Sequence, residues 1–168
     1  RISETARAQL ADFRKPVIAM IRGYCLGGGL AVAMSADMRF ATPDSQFGVP
    51  AARLGIAYGF AGLRKMVSLV GPAMANEIMF TARRLNAEEA QRTGLINRII
   101  PADELEDTVR NLALTIGRNA PLSVNASKLT IKEIQKDAED RDMERLEEIT
   151  NTCFDSADYR EGREAFME

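Results

Sequence analysis

Residues 15–35, KPVIAMIRGYCLGGGLAVAMS, constrain the fold more than any other stretch, because an unbroken apolar run meets three consecutive glycines and reopens into small apolar residues. Residues 17–21 are too few for a stable lone helix and too apolar for a half-exposed strand. They predict a strand covered on both faces. Gly27, Gly28 and Gly29 then remove every Cβ where a helix begins. The first N–H groups of a helix have no intrahelical partner, and the macrodipole adds partial positive charge, so such a turn favours negative charge. Glycines also permit a sharp turn with positive φ, and the motif alone leaves both readings open.

With 168 residues and 46% hydrophobic content, the chain is long and apolar enough for one domain with a full core. Its 22 basic and 24 acidic residues nearly cancel, which argues against nucleic acid or an anionic membrane as partner. No window approaches the roughly 18 to 20 apolar residues of a membrane span, and RISETARAQLADF reads as an amphipathic helix rather than a signal peptide. A soluble, cytoplasmic protein is expected. Cys25 and Cys153 lie far apart without metal-ligand spacing, so neither a disulfide nor a metal site is expected, and Cys25 reads as a small buried space-filler. The chain has no histidine. That removes Ser-His-Asp and Cys-His catalysis, the usual zinc sites and imidazole acid–base chemistry from this segment. Chemistry here must use backbone groups, Tyr, carboxylates, Lys or Arg.

Along the chain, residues 3–13 predict a helix leading into the strand, and residues 30–35 and 37–41 predict a helix and a second, parallel strand. Pro43-Asp44 marks a turn, and residues 53–59 a loop rich in small residues. Residues 62–70 form one helical stripe that stops at Gly71, and Pro72 opens the next helix. Asn86-Ala-Glu-Glu89 matches a capping box, its helix ends at Gly94, and a strand is expected over 95–100. Residues 103–118 carry Leu105, Val109, Leu112 and Ile116 on one stripe, and the helix from Pro121 turns Leu122, Ala126 and Leu129 inward. The rest is helical, with a densely charged solvated face over 132–148. A composition shift near Asn119 separates a mixed α/β part from a helical tail whose apolar stripes invite a neighbouring subunit.

Two nucleotide-binding explanations of the glycine turn fail on the letters. A P-loop needs Gly-Lys-Ser/Thr, but Leu30 follows Gly29; a dinucleotide fingerprint needs Gly or Ala where Val32 stands. The remaining use is an oxyanion hole, in which a peptide N–H stabilises a carbonyl oxygen as it gains charge. A preorganised donor of this kind is worth about 2.7 to 4 kcal/mol.

Four segments in order, KPVIAMIRGYCLGGGLAVAMSAD, FGVPAARLGIAYGFAGLRKMVSLVG, FTARRLNAEEAQRTGLINRIIP and DYREGREAF, resemble the crotonase (enoyl-CoA hydratase/isomerase) superfamily over nearly the whole chain. The resemblance implies an α/β fold, a spiral of ββα turns over residues 1–118, followed by a helical region, 119–168, used in trimer assembly. It implies an acyl-CoA substrate, with CoA as part of that substrate and no separate cofactor, and a homotrimer or hexamer. It further implies that Gly28 supplies one of two oxyanion N–H groups holding the thioester oxygen of an enolate. The second donor and much of the CoA surface come, in the family, from an N-terminal part expected to precede this chain.

Hydratases of the family carry glutamates at the positions held here by Ala31 and Ala51, and dienoyl-CoA isomerase relatives carry an acid at Gly59. None of these three residues can transfer a proton. Each such group contributes about 10² to 10⁴-fold, so hydration without both is expected to be very slow. Tyr58 resembles a tyrosine of methylmalonyl-CoA decarboxylase relatives, where loss of CO₂ forms the enolate without a base. Tyr58 could orient a carboxylate or deliver a proton, or it could pack its ring on the helix near Gly62 with its hydroxyl in water. Asp37 reads as a residue bonding turn amides, Arg53 and Arg64 as solvent-facing or CoA-phosphate contacts, and Lys128 and Lys132 as cations on a C-terminal helix. Three functions follow as expectations: an enolate-stabilising acyl-CoA enzyme, a malonyl-type acyl-CoA decarboxylase using Tyr58, and a non-catalytic acyl-CoA-binding or scaffold subunit.

Overall fold

A computed structural model describes residues 9, 10 and 12–167. The helix expected over residues 3–13 therefore lies largely outside the described residues. The described chain forms two compact units, one centred on residues 17–110 and the other made by 14–16 with 111–167.

In the first unit, β1 (Ile18–Ile21) and β2 (Tyr24–Leu26) are separated by a kink at Gly23, whose φ of 64° suits glycine. A second turn at Gly27 leads into α1 (Gly28–Ser35). β3 (Met38–Ala41), β4 (Gln46–Gly48), the short α2 (Ala51–Leu54) and the long α3 (Phe60–Thr81) repeat the pattern. β3 lies parallel to β1 with Ile18 opposite Met38, and β4 lies parallel to β2 with Tyr24 opposite Gln46. Successive ββα turns thus stack strand on like strand, which is the spiral that the resemblance implies. β5 (Leu85–Asn86) joins β4 antiparallel, α4 (Ala87–Arg92) follows, and β6 (Arg98–Ile99) adds to β3 in parallel.

The apolar helix α1 is nearly enclosed on its inner side. Leu30 and Met34 are almost fully buried among Phe47, Val49, Met66, Ile78, Leu85 and Leu95. Burying a side chain such as Leu30 contributes about 1.5 to 3 kcal/mol, so this helix is held by packing rather than by helix propensity. α3 breaks at Gly71 (φ 74°, ψ 163°), making two helices in series with Pro72 opening the second. The capping box is complete, with the Glu89 N–H donating to Asn86 Oδ1 at 2.8 Å and the Asn86 N–H donating to Glu89 Oε2 at 3.0 Å.

Three expectations need correction. β1 is not covered on both faces, since Met20 is 51% exposed on an edge strand of its three-stranded sheet. The strand expected over 95–100 pairs only at Arg98–Ile99, because Leu95 and Ile96 are buried in a turn that follows Gly94. The loop expected over 53–59 begins two residues later, at Gly55, after α2.

α5 (Leu105–Arg118) buries Leu105 and Val109 and leaves Leu112 and Ile116 half-buried. In the second unit, α6 (Pro121–Ile134) packs on α7 (Met143–Phe154), and α8 (Ala157–Met167) follows. Leu122, expected inward, is 37% exposed, and its neighbours Pro121 and Ser123 in the first turn of α6 are exposed as well. Within the charged segment Glu133 departs from a solvated face. It is buried, accepting from the Asp142 N–H at 3.1 Å and pairing with Lys136 at 2.7 Å.

Candidate functional site

The turn before α1 is built by β pairing. Leu26 lies opposite Gly48, and the Gly27 N–H donates to the Gly48 carbonyl at 2.9 Å, so the glycine turn and the FGVP segment are held side by side. Gly27 has φ 54° and ψ −115°, a conformation essentially closed to residues with a Cβ. Its carbonyl accepts the Ala31 N–H at 3.0 Å and starts the helix. No side chain caps this helix, and its first turn carries no acidic residue. Among the described residues no group accepts from the N–H of Gly28 or Gly29, and both glycines are exposed. A Cβ at either position would meet nothing within 4 Å. The result is an open helix start with unpaired donors, able to hold an anionic or strongly polarised oxygen.

Tyr58 reaches this turn from the other side. A Cβ on Gly62 would lie 3.7 Å from Tyr58 Cδ1, and one on Gly27 would lie 3.8 Å from the Tyr58 hydroxyl and 3.9 Å from Pro50 Cδ. The ring therefore rests against α3, as one reading of the sequence expected, and the half-buried side chain carries its hydroxyl close to the glycine turn. Nothing in the spacing between residues 27 and 58 signals this approach. It results from β2–β4 pairing plus the return of the loop, where the Ile56 N–H donates to the Ala51 carbonyl at 3.0 Å.

Ala31 is half-buried in the first turn of α1, and Ala51 is buried at the start of α2, directly after Pro50. Gly59 caps the start of α3 in extended backbone. At these three positions the sequence thus supplies no proton-transferring side chain, while the Tyr58 hydroxyl lies near the Gly27 turn. Cys25 is buried and its thiol is pushed up to about 11 by desolvation, so it stays protonated at neutral pH and fills space.

The other candidates have structural partners. Asp37 Oδ2 accepts the Val17 N–H at 2.7 Å, the turn-amide role expected of it. Arg39, which the sequence reading passed over inside an apolar strand, is buried. Its guanidinium donates to the carbonyls of Leu95 and Ala36, each at 2.7 Å. Burial lowers its pKa, partly offset by Asp37, and burial together with Arg39 also lowers that of Lys65. Arg53 is exposed at the end of α2, whereas the Arg64 guanidinium lies 5.9 Å from the centre of the Phe60 ring. Lys128 Nζ donates to the Lys15 carbonyl at 2.8 Å, and Lys132 is half-buried on the same helix. No cluster of metal-ligating side chains is present among the described residues. Among them, no helix is long and apolar enough to cross a membrane.

Comparison with known proteins adds three findings. A family model described as Enoyl-CoA hydratase/isomerase matches residues 4–168. The chain is 39% identical to a short-chain-enoyl-CoA hydratase of Clostridium acetobutylicum, over 95% of this chain and 61% of the relative, and 40% identical to a crotonyl-CoA hydratase of Syntrophomonas wolfei, over 92% and 59%. It thus spans about 60% of the length of these curated relatives. Among solved structures, an enoyl-CoA hydratase/carnithine racemase from Magnetospirillum magneticum superposes with a TM-score of 0.84 at 30% identity, covering 96% of this chain and 60% of that one.

Proposed function

The chain belongs to the enoyl-CoA hydratase/isomerase family, and from that premise we propose that it forms part of an enzyme that binds an acyl-CoA thioester and stabilises its enolate at the Gly28 N–H. The observation that carries this reading is the uncapped, exposed start of α1, with no acidic side chain in its first turn to compete for the donors. Charge builds on the thioester oxygen as the enolate forms. A donor fixed by the Gly27–Gly48 bond is already in place and reorganises little as that charge develops. In this reading the N–H holds the oxygen, the small residues 27, 31 and 51 leave room for the acyl carbons, and Tyr58 brings a hydroxyl near the reacting centre.

How the enolate arises is the finer question. With alanine at 31 and 51, two-carboxylate hydration is disfavoured. A second reading, decarboxylation of a malonyl-type thioester, is favoured by the Tyr58 hydroxyl beside the turn. Breaking the Cα–carboxylate bond leaves its electron pair as the enolate and releases CO₂. A proton delivered to Cα then completes the step, and Tyr58 is the group here able to relay it.

The natural full-length protein should be assayed with crotonyl-CoA and methylmalonyl-CoA. We expect hydration about 100-fold or more below that of glutamate-bearing relatives, and decarboxylation that falls at least tenfold in Tyr58→Phe while thioester binding persists. Hydration at the relatives' rate would defeat the argument from Ala31 and Ala51. Decarboxylation undiminished in Tyr58→Phe would remove that hydroxyl from the chemistry, and binding without turnover of either substrate would leave an acyl-CoA-binding subunit.

A further inference from the structure

Residues 54–63, LGIAYGFAGL, carry no charge and run past the candidate site between Arg53 and Arg64. Their large apolar side chains are not drawn into the core. Leu54 is 63% exposed, Ile56 54% and Phe60 77%. One exposed apolar residue needs no explanation, but three within seven positions of one segment make a patch. The patch is tied to the site at both ends. The Ile56 N–H bonds the carbonyl of Ala51, and Tyr58, two residues from both Ile56 and Phe60, places its hydroxyl at the Gly27 turn. Two residues span at most about 7 Å, so Ile56 and Phe60 flank Tyr58 directly.

We infer that Ile56 and Phe60, with Leu54 behind them, form a wall for the hydrocarbon part of the acyl group, making the protein selective for thioesters with a longer apolar chain. The inference rests on the acyl-CoA reading above. A hydrocarbon tail needs apolar area and no hydrogen-bonding partner, which Leu54 and Ile56 offer and which Phe60 offers on the ring face away from the Arg64 guanidinium, 5.9 Å from the ring centre. A tail leaving a thioester held at Gly28 passes Tyr58 and meets this surface next. A polar acyl substituent would instead desolvate against it without compensation.

Calorimetric binding of butyryl-CoA and octanoyl-CoA, both inert analogues, to the natural full-length protein tests the wall. Octanoyl-CoA should bind about tenfold tighter, the gain for four methylenes half removed from water. In Ile56→Ser and Phe60→Ser the octanoyl-to-butyryl ratio should fall to about two. The control Phe80→Ser, 76% exposed near the C-terminal end of α3, should keep the ratio. Equal affinities in the unaltered protein overturn the inference, as does a ratio that survives both serine variants or falls equally in the control. Should a serine variant fail to fold, Ile56→Ala and Phe60→Ala decide in the same way. If the variants change the sedimentation coefficient while the ratio stands, the patch seats a second copy and the inference fails. If neither thioester binds, the acyl-CoA reading itself fails, which separates the two outcomes.

Discussion

At the scale of single residues, the account depends on what glycine alone can do at position 27. Its φ and ψ lie where a Cβ is sterically excluded, whereas the space is not the obstacle, since a Cβ there would meet the Tyr58 hydroxyl and Pro50 only at ordinary contact distance. Gly27→Ala should therefore lose about 1 to 3 kcal/mol of stability, read as a lowered midpoint in urea with an unchanged slope. Gly28 and Gly29 are different, having open space where a Cβ would stand and no positive φ. If they were needed only for the turn, side chains would be tolerated there. The motif suggested either a turn or an anion site; Gly27 makes the turn, and the Gly28 N–H has no acceptor among the described residues. Tyr58 shows the limit of reading residues in sequence. Its ring position was legible from Gly62 four residues away, whereas the approach of its hydroxyl to the Gly27 turn depends on the pairing of β2 with β4, which no local pattern encodes.

At the scale of elements, local rules served best where local bonds decide. The capping box over 86–89 and the break at Gly71 are where the letters put them, because caps and positive-φ breaks are set within a few residues. Asn86→Ala should cost about 1 kcal/mol by leaving the Glu89 N–H without its side-chain acceptor, while the backbone N–H of residue 86 can still donate to the Glu89 carboxylate, and thermal unfolding should report it. Elements set by distant partners were less legible. β2 is three residues long and exists because Gly23 bends the chain and β4 offers a parallel partner, so a reading that placed one strand over residues 17–21 did not find it. The buried Arg39 was missed for a related reason, since its two carbonyl partners come from a helix end and from a turn 56 residues away. The spiral itself was legible through the family resemblance, and the stacking of β1 on β3 on β6 bears that out.

At the scale of the whole molecule, acid stability and substrate binding can be checked on the intact protein. Glu133 has its carboxyl held below the ordinary value near 4.5, first by Lys136 and then by the Asp142 amide. A carboxyl lowered in the folded state adds stability above its unfolded pKa and loses it as pH falls through the folded one. Glu133→Gln should accordingly narrow the drop in Tm between pH 6 and pH 3, and an unchanged drop would mean the pair contributes nothing to acid stability. The central claim, that the Gly28 N–H polarises a thioester oxygen, is most directly tested by infrared difference spectroscopy of carbonyl-labelled butyryl-CoA bound to the natural full-length protein. Proline fits the first position of a helix and replaces the N–H by a ring CH₂, so Gly28→Pro removes the donor, while Gly28→Ala, which keeps the N–H and places its Cβ in open space, controls for added bulk and should keep the shift. The expected result is a carbonyl stretch moved to lower wavenumber on binding and moved back toward its value in water in Gly28→Pro. An unshifted band, or an equal shift in the proline variant, would contradict the account.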